Sequence, residues 1–382
     1  MKDYDIHAYY CALNKAFGYE PVHARLLMEH FGSAEALFSA APEEMSRALG
    51  RELSPAEHLG EDLLEWAEKE LETVAATGGR FLCPEDEDYP PLLAEIPDPP
   101  LGLYFKSPST PAEVFGFSRA VAVVGTRDLS PYGREWCIRL VRVLSQAQRQ
   151  PLIVSGLAYG ADAVAHRTAL VQGLPTVGVM ATGIDDIYPW RNRPLADEIL
   201  STPGCALVTD YPIGTSPVAL NFIRRNRIIA ALTEATLVIE SKTKGGSLIT
   251  AKYANDYDRD VYALPGRVDD VRSQGCNSLI RTRMADIITG EADLAERLGL
   301  GTVKGDRRNF DAWMDRRYGP DSLAARIARR VRTERGIDCE GLSRALGEPY
   351  PRILEAVALL EADNVLTTDL LQRCYLSQAS LS

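Results

Sequence analysis

Two stretches decide the fold: AVAVVGTR (120–127) and LIVSGLAYGADAVAH (152–166). Each is a short apolar run, rich in β-branched residues, that breaks into glycine and then into a helical pattern. A run that is apolar at every position, rather than at alternate ones, reads as a strand buried on both faces. The same grammar recurs downstream. Thr176–Met180, Ala206–Thr209, Thr236–Ile239 and Val261–Leu264 read as strands, and Tyr132–Gln148, Gly160–Gln172, Asn221–Leu232 and Leu248–Tyr257 as helices between them. Strands alternating with helices imply an α/β architecture, a parallel sheet with helices on both faces. In such a sheet, ligands bind outside the carboxyl ends of the strands.

Those ends carry the informative residues. The first strand runs into Gly125-Thr126-Arg127. The second runs into Ser155-Gly156-Leu157-Ala158-Tyr159-Gly160. A later one runs through Lys242 into Gly245-Gly246-Ser247. Small residues and free amides at a helix N-terminus suit anions, and three such loops side by side suit a row of phosphates. Neither a GxGxxG fingerprint nor a GxxxxGK[ST] loop is present, which argues against a dinucleotide cofactor and against a P-loop NTPase. The densest basic signal is Asn221-Phe222-Ile223-Arg224-Arg225-Asn226-Arg227. An aromatic ring beside Arg and Asn suits a single-stranded polynucleotide: the ring stacks a base and the guanidinium takes phosphate. The competing reading is an arginine-rich helix that pairs with core carboxylates. Asp162 and His166, near Ser155, invite comparison with a nucleophile relay, but His166 in an alanine-rich helix reads better as structural. Asp185-Asp186 reads as a loop element, not as a metal site.

Charge sharpens the partner class. The 382-residue chain carries a net charge of −11. Residues 1–100 hold 7 Lys/Arg against 21 Asp/Glu, and the remainder holds 35 against 32. The acidity is thus N-terminal, and a local basic stripe further along can still attract a polyanion within a Debye length of about 10 Å. Seven cysteines, none in a CxxC spacing, indicate reduced buried thiols and no zinc site. The N-terminus lacks a signal-peptide pattern and no apolar run is long enough to span a bilayer, so a cytoplasmic protein without membrane association is expected.

Five units are expected. Residues 1–78 form a helical domain, with Ser33 as a helix N-cap. Residues 79–111 form an extended proline-rich connector, residues 112–298 the α/β domain, residues 299–320 a linker, and residues 321–382 a helical unit ending in strands near Val365–Thr368 and Arg373–Leu376.

Taken together, VVGTR (123–127), SGLAYGADAVAH (155–166), ATGIDDIYPWRN (181–192), NFIRRNRIIAAL (221–232), GGSLITAKYA (245–254) and DVYALPG (260–266) resemble the DNA-processing A family (DprA/Smf) in content and order. The resemblance implies a Rossmann-like domain flanked by an N-terminal SAM-like or helix-hairpin-helix module and a C-terminal winged helix. It implies a non-catalytic, cofactor-free protein that binds single-stranded DNA and helps load RecA onto it in natural transformation and recombination. SSB and double-stranded DNA are further expected partners.

By motif position, Arg127 is expected to contact phosphate or base and Phe222 to approach a base. Arg225, Asn226 and Arg227 are expected to shape the pocket, and Gly245, Gly246 and Ser247 to offer donors. Tyr159 stands where many relatives carry Lys, so either it stacks a base instead or the phosphate contact shifts to Lys242 and Arg224. Relatives commonly dimerise through the segment matching 275–288, which makes Leu279 and Ile280 the candidate anchors. The basic stretch 304–335, with 10 Lys/Arg against 5 acids, is the expected auxiliary DNA surface. Two other readings compete. A nucleotide phosphoribohydrolase of the LOG or lysine-decarboxylase-like type shares the sheet, but its PGGxGTxxE pattern is replaced here by KGGSLITA. A regulator acting through the winged helix would need a less acidic recognition helix than Tyr350–Ala362.

Overall fold

The computed structural model describes residues 4–117, 119–301, 307–334, 336–369 and 372–376. The chain divides into two units, residues 1–303 and 304–382.

The first unit opens with five helices, α1 (Ile6–Phe17), α2 (Pro21–Phe31), α3 (Ala34–Phe38), α4 (Pro42–Leu49) and α5 (Glu61–Ala76). Their ends follow local chemistry. Gly32 closes α2 at a φ of 92°, in the left-handed region that glycine enters without a Cβ penalty. Ser33 then caps α3, its hydroxyl accepting from the Ala36 amide at 3.1 Å, as expected from the sequence.

The stretch expected to be an extended connector contributes β1 (Arg80–Leu82), α6 (Pro91–Ala94) and β2 (Leu103–Lys106), and α7 (Pro111–Phe115) begins at its last residue. The prolines fall outside these two strands, so neither loses a ladder amide.

The α/β part follows as β3 (Ala120–Val124), α8 (Pro131–Ser145), β4 (Leu152–Ser155), α9 (Ala161–Val171), β5 (Thr176–Val179), α10 (Arg193–Ser201), β6 (Ala206–Thr209), α11 (Ala219–Ala231), β7 (Ala235–Val238), α12 (Ser247–Asp256), β8 (Asp260–Ala263), α13 (Gln274–Arg281), β9 (Asp286–Ile287) and α14 (Glu291–Arg297). The sheet order is β1-β2-β6-β5-β4-β3-β7-β8-β9. The seven strands from β6 to β9 are parallel, and β1 and β2 extend the β6 edge in antiparallel fashion. This is the expected Rossmann-like sheet.

Side-chain alternation explains why both faces are covered. Ala120, Ala122 and Val124 of β3 enter one apolar layer with Ile228 and Ile229 of α11 and Ala251 of α12. Val121 and Val123 enter the opposite layer with Leu140 of α8 and Ala165 of α9. The N-terminal helices share a third apolar layer with Phe81, Tyr104, Leu207 and Ile199, so they pack directly on the β6 end of the sheet. Polar ties reinforce that contact. Asn14 donates to the Asp210 carbonyl at 2.8 Å, and the Ile213 amide donates to Glu70 at 2.7 Å.

The order of chain entry reverses at β3, which is flanked by β4 on one side and β7 on the other. The crevice outside β3, β4 and β7 is therefore the topological switch point, where a ligand site is expected.

The second unit contains α15 (Arg307–Tyr318), α16 (Leu323–Thr333), α17 (Cys339–Leu346), α18 (Tyr350–Ala362) and the hairpin of β10 (Leu366–Thr368) with β11 (Cys374–Leu376). Met314, Ile327, Val331, Leu342, Ile353 and Leu360 form its core. Part of the expected linker is thus helix α15, and 302–306 lie outside the described residues. All seven cysteines are buried and unbridged. Among the described residues, no helix is long and apolar enough to cross a membrane.

Candidate nucleic-acid interface

The three glycine loops lie against one another at the switch point. The Thr126 amide donates to the Glu240 carbonyl at 2.7 Å, and the Ala161 amide to the Thr126 carbonyl at 3.2 Å. Two glycines are required by this closeness. A Cβ on Gly160, whose φ is +76°, would sit 2.2 Å from the Thr126 carbonyl oxygen. A Cβ on Gly125 would meet the Ala161 methyl at 2.7 Å.

Helix α11 joins these loops. Phe222 lies beneath Arg127, with the guanidinium carbon 5.2 Å from the ring centroid. One turn later Asn226 donates to the Gly246 carbonyl at 3.3 Å. Arg127, Phe222, Asn226 and Gly246, expected to act together, are thus gathered at one rim. Arg127, Lys242, Thr243 and Lys244 are exposed, and Phe222 is partly so. Asp128, the acid beside Arg127, is held by Arg272 at 2.9 Å, which keeps it from neutralising Arg127. Helix α12 starts at Ser247, and its first turn is closed from within the glycine loop: the Leu248 and Ile249 amides donate to the Gly245 and Gly246 carbonyls, each at 3.1 Å.

Other expected residues hold the rim together from within. The Arg225 side chain is buried and donates to the carbonyls of Gly156, at 2.6 Å, and of Val179. Burial pulls its pKa down to about 10, opposed by the Asp162 carboxylate, so it remains charged at neutral pH. Arg227 is buried too and pairs with Asp210 at 2.9 Å, while donating to the Asp98 carbonyl. Both arginines shape the rim rather than offer charge to solvent. The core-pairing alternative is thus realised at Arg227, which meets a carboxylate, while Arg225 is buried on backbone carbonyls. Arg224 is part-exposed and sits 4.3 Å from the Tyr19 ring, which the N-terminal helices bring to this edge.

The loop after β4 behaves differently from a simple anion cradle. The amides of Gly156 and Ala158 donate to the buried Asp162 carboxylate, at 3.1 and 3.4 Å, so they are not offered to a ligand. Burial raises the Asp162 pKa, against the opposing pull of Arg225 and these amides. The Ser155 hydroxyl donates to the Val123 carbonyl at 2.6 Å inside the sheet. Ser155 and Gly156 are therefore scaffold, whereas Tyr159 at the tip of the loop is 38% exposed. Asn221 is buried, and its side-chain amide reaches the Ser216 carbonyl at 3.4 Å. Ser247 is buried and its hydroxyl meets that of Ser241 at 2.9 Å.

No relay forms at His166. Its Nδ1 donates to the Thr176 hydroxyl at 2.7 Å, because that hydroxyl gives its own proton to the Ile153 carbonyl. Burial, with the charge of Arg225, lowers the His166 pKa to about 3. Asp185 accepts from the Gly214 amide at 3.1 Å and ties two loops together.

Sequence reasoning missed three aromatics at this rim. Tyr188 meets Phe222 edge-on at 5.4 Å, Trp190 is 72% exposed and Tyr19 is 54% exposed. The first two lie in ATGIDDIYPWRN, where paired aromatics around a proline were the available signal.

Leu279 and Ile280 are part-buried and pack on the apolar layer beneath α12 and α13. In the second unit, the arginines of the expected auxiliary surface are largely paired. Arg326 meets Glu348 at 2.9 Å, Arg329 meets Asp311 at 3.3 Å and also Asp315, and Arg330 meets Glu334. Asp311, Asp315 and Glu334 belong to the stretch itself, whereas Glu348, and Asp363 at 3.0 Å from Arg317, come from outside it. Lys304 and Arg335, and the side chains of Arg307 and Arg308, lie outside what is described.

Comparison with known proteins agrees with this fold. A model of the DNA recombination-mediator protein A family matches residues 80–299. Protein Smf of Synechocystis is 38% identical over 301 residues, which cover 76% of this chain and 72% of that protein. The X-ray structure of DNA processing protein A from Streptococcus pneumoniae is similar with a TM-score of 0.60 and 29% identity, over 75% of this chain and 95% of that one. A structure of the Helicobacter pylori protein, described for its single-stranded DNA binding mode, gives a TM-score of 0.50 and 28% identity, over 57% and 95%. The chain belongs to the DNA recombination-mediator protein A (DprA/Smf) family.

Proposed function

We propose that this protein binds single-stranded DNA along the switch-point rim, without chemistry, and helps seat RecA on that strand during transformation and recombination. The observation that carries the reading is the joining of three strand-end loops by α11, through Arg127 at Phe222, Gly156 at Arg225 and Gly246 at Asn226. Phosphates run past Arg127 and Lys242, while a base stacks at Phe222. A single strand suits this arrangement because its bases turn outward to meet a ring, and every base has a face to stack. The single-strand binding described for the Helicobacter pylori relative supports the ligand class.

The absence of catalysis is part of the proposal. Asp162 holds loop amides, and Glu240 accepts from the Ser130 amide at 2.9 Å and from its hydroxyl at 2.5 Å. These two buried carboxylates are thus engaged in building the rim, which disfavours the phosphoribohydrolase alternative. Measurable release of free base from a nucleoside monophosphate would restore that alternative.

A homodimer through residues 275–288, with Leu279 and Ile280 as anchors, would join two such rims and raise avidity. We assign the acidic N-terminal helices a protein-contact role. The C-terminal helices and hairpin read as a winged helix, and SSB and duplex DNA as further partners, in a cytoplasmic protein.

The test is fluorescence anisotropy with one labelled oligonucleotide as a single strand and as a duplex, followed by RecA assembly on SSB-coated strand. Tighter binding of the single strand and faster RecA assembly are expected. Equal or absent binding contradicts the ligand assignment, and unchanged RecA assembly contradicts the mediator role alone.

A further inference from the structure

We infer that the rim carries a second base-stacking station, formed by Trp190 with Arg191 and reached from Phe222 across Tyr188. The inference rests on the single-strand reading above and extends it to the path of the strand.

Besides Arg224 over Tyr19, two arginine-over-aromatic pairs lie along this edge. Arg127 lies 5.2 Å from the Phe222 ring, and Arg191 lies 5.7 Å from the Trp190 ring. Tyr188, two residues before Trp190 in the chain, meets Phe222 edge-on at 5.4 Å and 61°. Each pair offers a flat face for a base and a fixed positive charge beside it for the neighbouring phosphate.

The position of Trp190 is set by its neighbours rather than by loop slack. Asn192, 2% exposed, donates from its side chain to the carbonyls of Leu157 at 2.8 Å and Ala158 at 3.2 Å. The Trp190 backbone is therefore pinned, two residues away, to the glycine loop that follows β4. The other end of its loop is fixed as well. The Thr182 hydroxyl donates to the Asp186 carbonyl at 2.6 Å, and the Gly183 amide donates to the Thr215 carbonyl at 3.2 Å. Yet the Trp190 ring is 72% exposed and Tyr188 43% exposed. Anchored backbone with large aromatic faces in water is the arrangement of a stacking platform. Isolated exposed apolar residues are ordinary; a row of three aromatics with two arginines, continuous with the phosphate-binding rim, is not. A strand seated at Arg127 thus leaves the rim over Tyr188 and Trp190, adding at least one further base contact beyond Phe222.

The experiment is a length series of oligothymidylates, from about 4 to about 16 nucleotides, titrated into the full chain and into Trp190→Ala, Trp190→Phe and Arg127→Ala. Trp190 is mostly in water, so Trp190→Ala is expected to keep the wild-type melting temperature. For wild type, affinity rises with length until both stations are filled, and intrinsic tryptophan fluorescence is quenched. Trp190→Ala is expected to bind the shortest oligomers as wild type does, to lose roughly 5- to 100-fold on the longer ones, and to lose most of the quench. Trp190→Phe is expected to recover part of the affinity. Arg127→Ala is expected to weaken binding at every length. If Trp190→Ala matches wild type at every length while wild type binds, the second station is refuted and the single-strand reading stands. That outcome would mark the aromatic row as a protein-docking face instead. If wild type binds no oligomer, both readings fall together.

Discussion

Phe222 and Asn226, one turn apart on α11, reach two different strand ends: the Phe222 ring lies 5.2 Å from the Arg127 guanidinium carbon, and the Asn226 side chain donates to the Gly246 carbonyl at 3.3 Å. A single helix thereby sets the spacing of a ring, a cation and a glycine loop at the switch point of the sheet. Arg225 and Arg227 of the same helix are committed to holding it in place, and this division separates binding residues from folding residues.

Arg227 belongs to folding. Its pair with Asp210 has side-chain exposures of 6% and 5%, so removing the cation strands a buried carboxylate. Arg227→Ala is expected to destabilise the protein by about 3–5 kcal/mol, read as a lower urea midpoint. Arg127→Ala, at an exposed site, is expected to leave that midpoint unchanged.

Phe222 should show the reverse emphasis. Phe222→Ala is expected to weaken single-strand binding by about 1–3 kcal/mol without altering its salt dependence, because the ring carries no charge. Phe222→Tyr keeps a stacking face and is expected to bind nearly as wild type. Anisotropy at two salt concentrations distinguishes this loss from that of a lost cation.

The two glycines of the rim make opposite predictions. Gly160→Ala forces a side chain onto a φ of +76° and into the Thr126 carbonyl, so a loss of about 1–3 kcal/mol is expected. Gly246→Ala meets nothing within 4 Å at an ordinary φ and is expected to melt as wild type. Thermal denaturation of the two variants checks both.

His166 gives the fold a pH dependence of known sign. Its pKa is near 3 when folded, against an ordinary value of about 6.5. The unfolded chain thus binds an extra proton between those values, and stability falls as pH drops from about 6.5 towards 3. The slope from this group approaches roughly 1.4 kcal/mol per pH unit. His166→Gln is expected to flatten the dependence between about pH 6.5 and 5, whatever its effect at pH 7. An unchanged slope would mean that His166 is not held neutral.

The central strands were legible because burial on both faces leaves an unbroken apolar run, as in Ala120–Val124 and Leu152–Ser155. Strand β2 was hidden because Leu103–Lys106 follows a proline-rich stretch whose prolines suggest a connector. Strand β9 has two residues, both exposed, and carries no pattern at all. The rim was legible in its loops and in Arg127 and Phe222. Which arginine of α11 faces inward was not, since three in four residues cover much of the helix circumference. The partner of Arg227, Asp210, belongs to the loop after β6 and comes into view only once the sheet is assembled. Trp190 lacked any periodic signal, and its placement depends on Asn192 reaching the loop after β4.

The most direct test of the rim as a polynucleotide groove is the slope of log affinity against log salt for a single-stranded oligonucleotide, measured for wild type and Arg127→Ala. A linear fall is expected, with affinity weakened by about 1–3 kcal/mol in the variant and a slope shallower by about 0.7 for the lost phosphate contact. Binding indifferent to salt, or an Arg127→Ala variant with wild-type affinity and slope, would contradict the account.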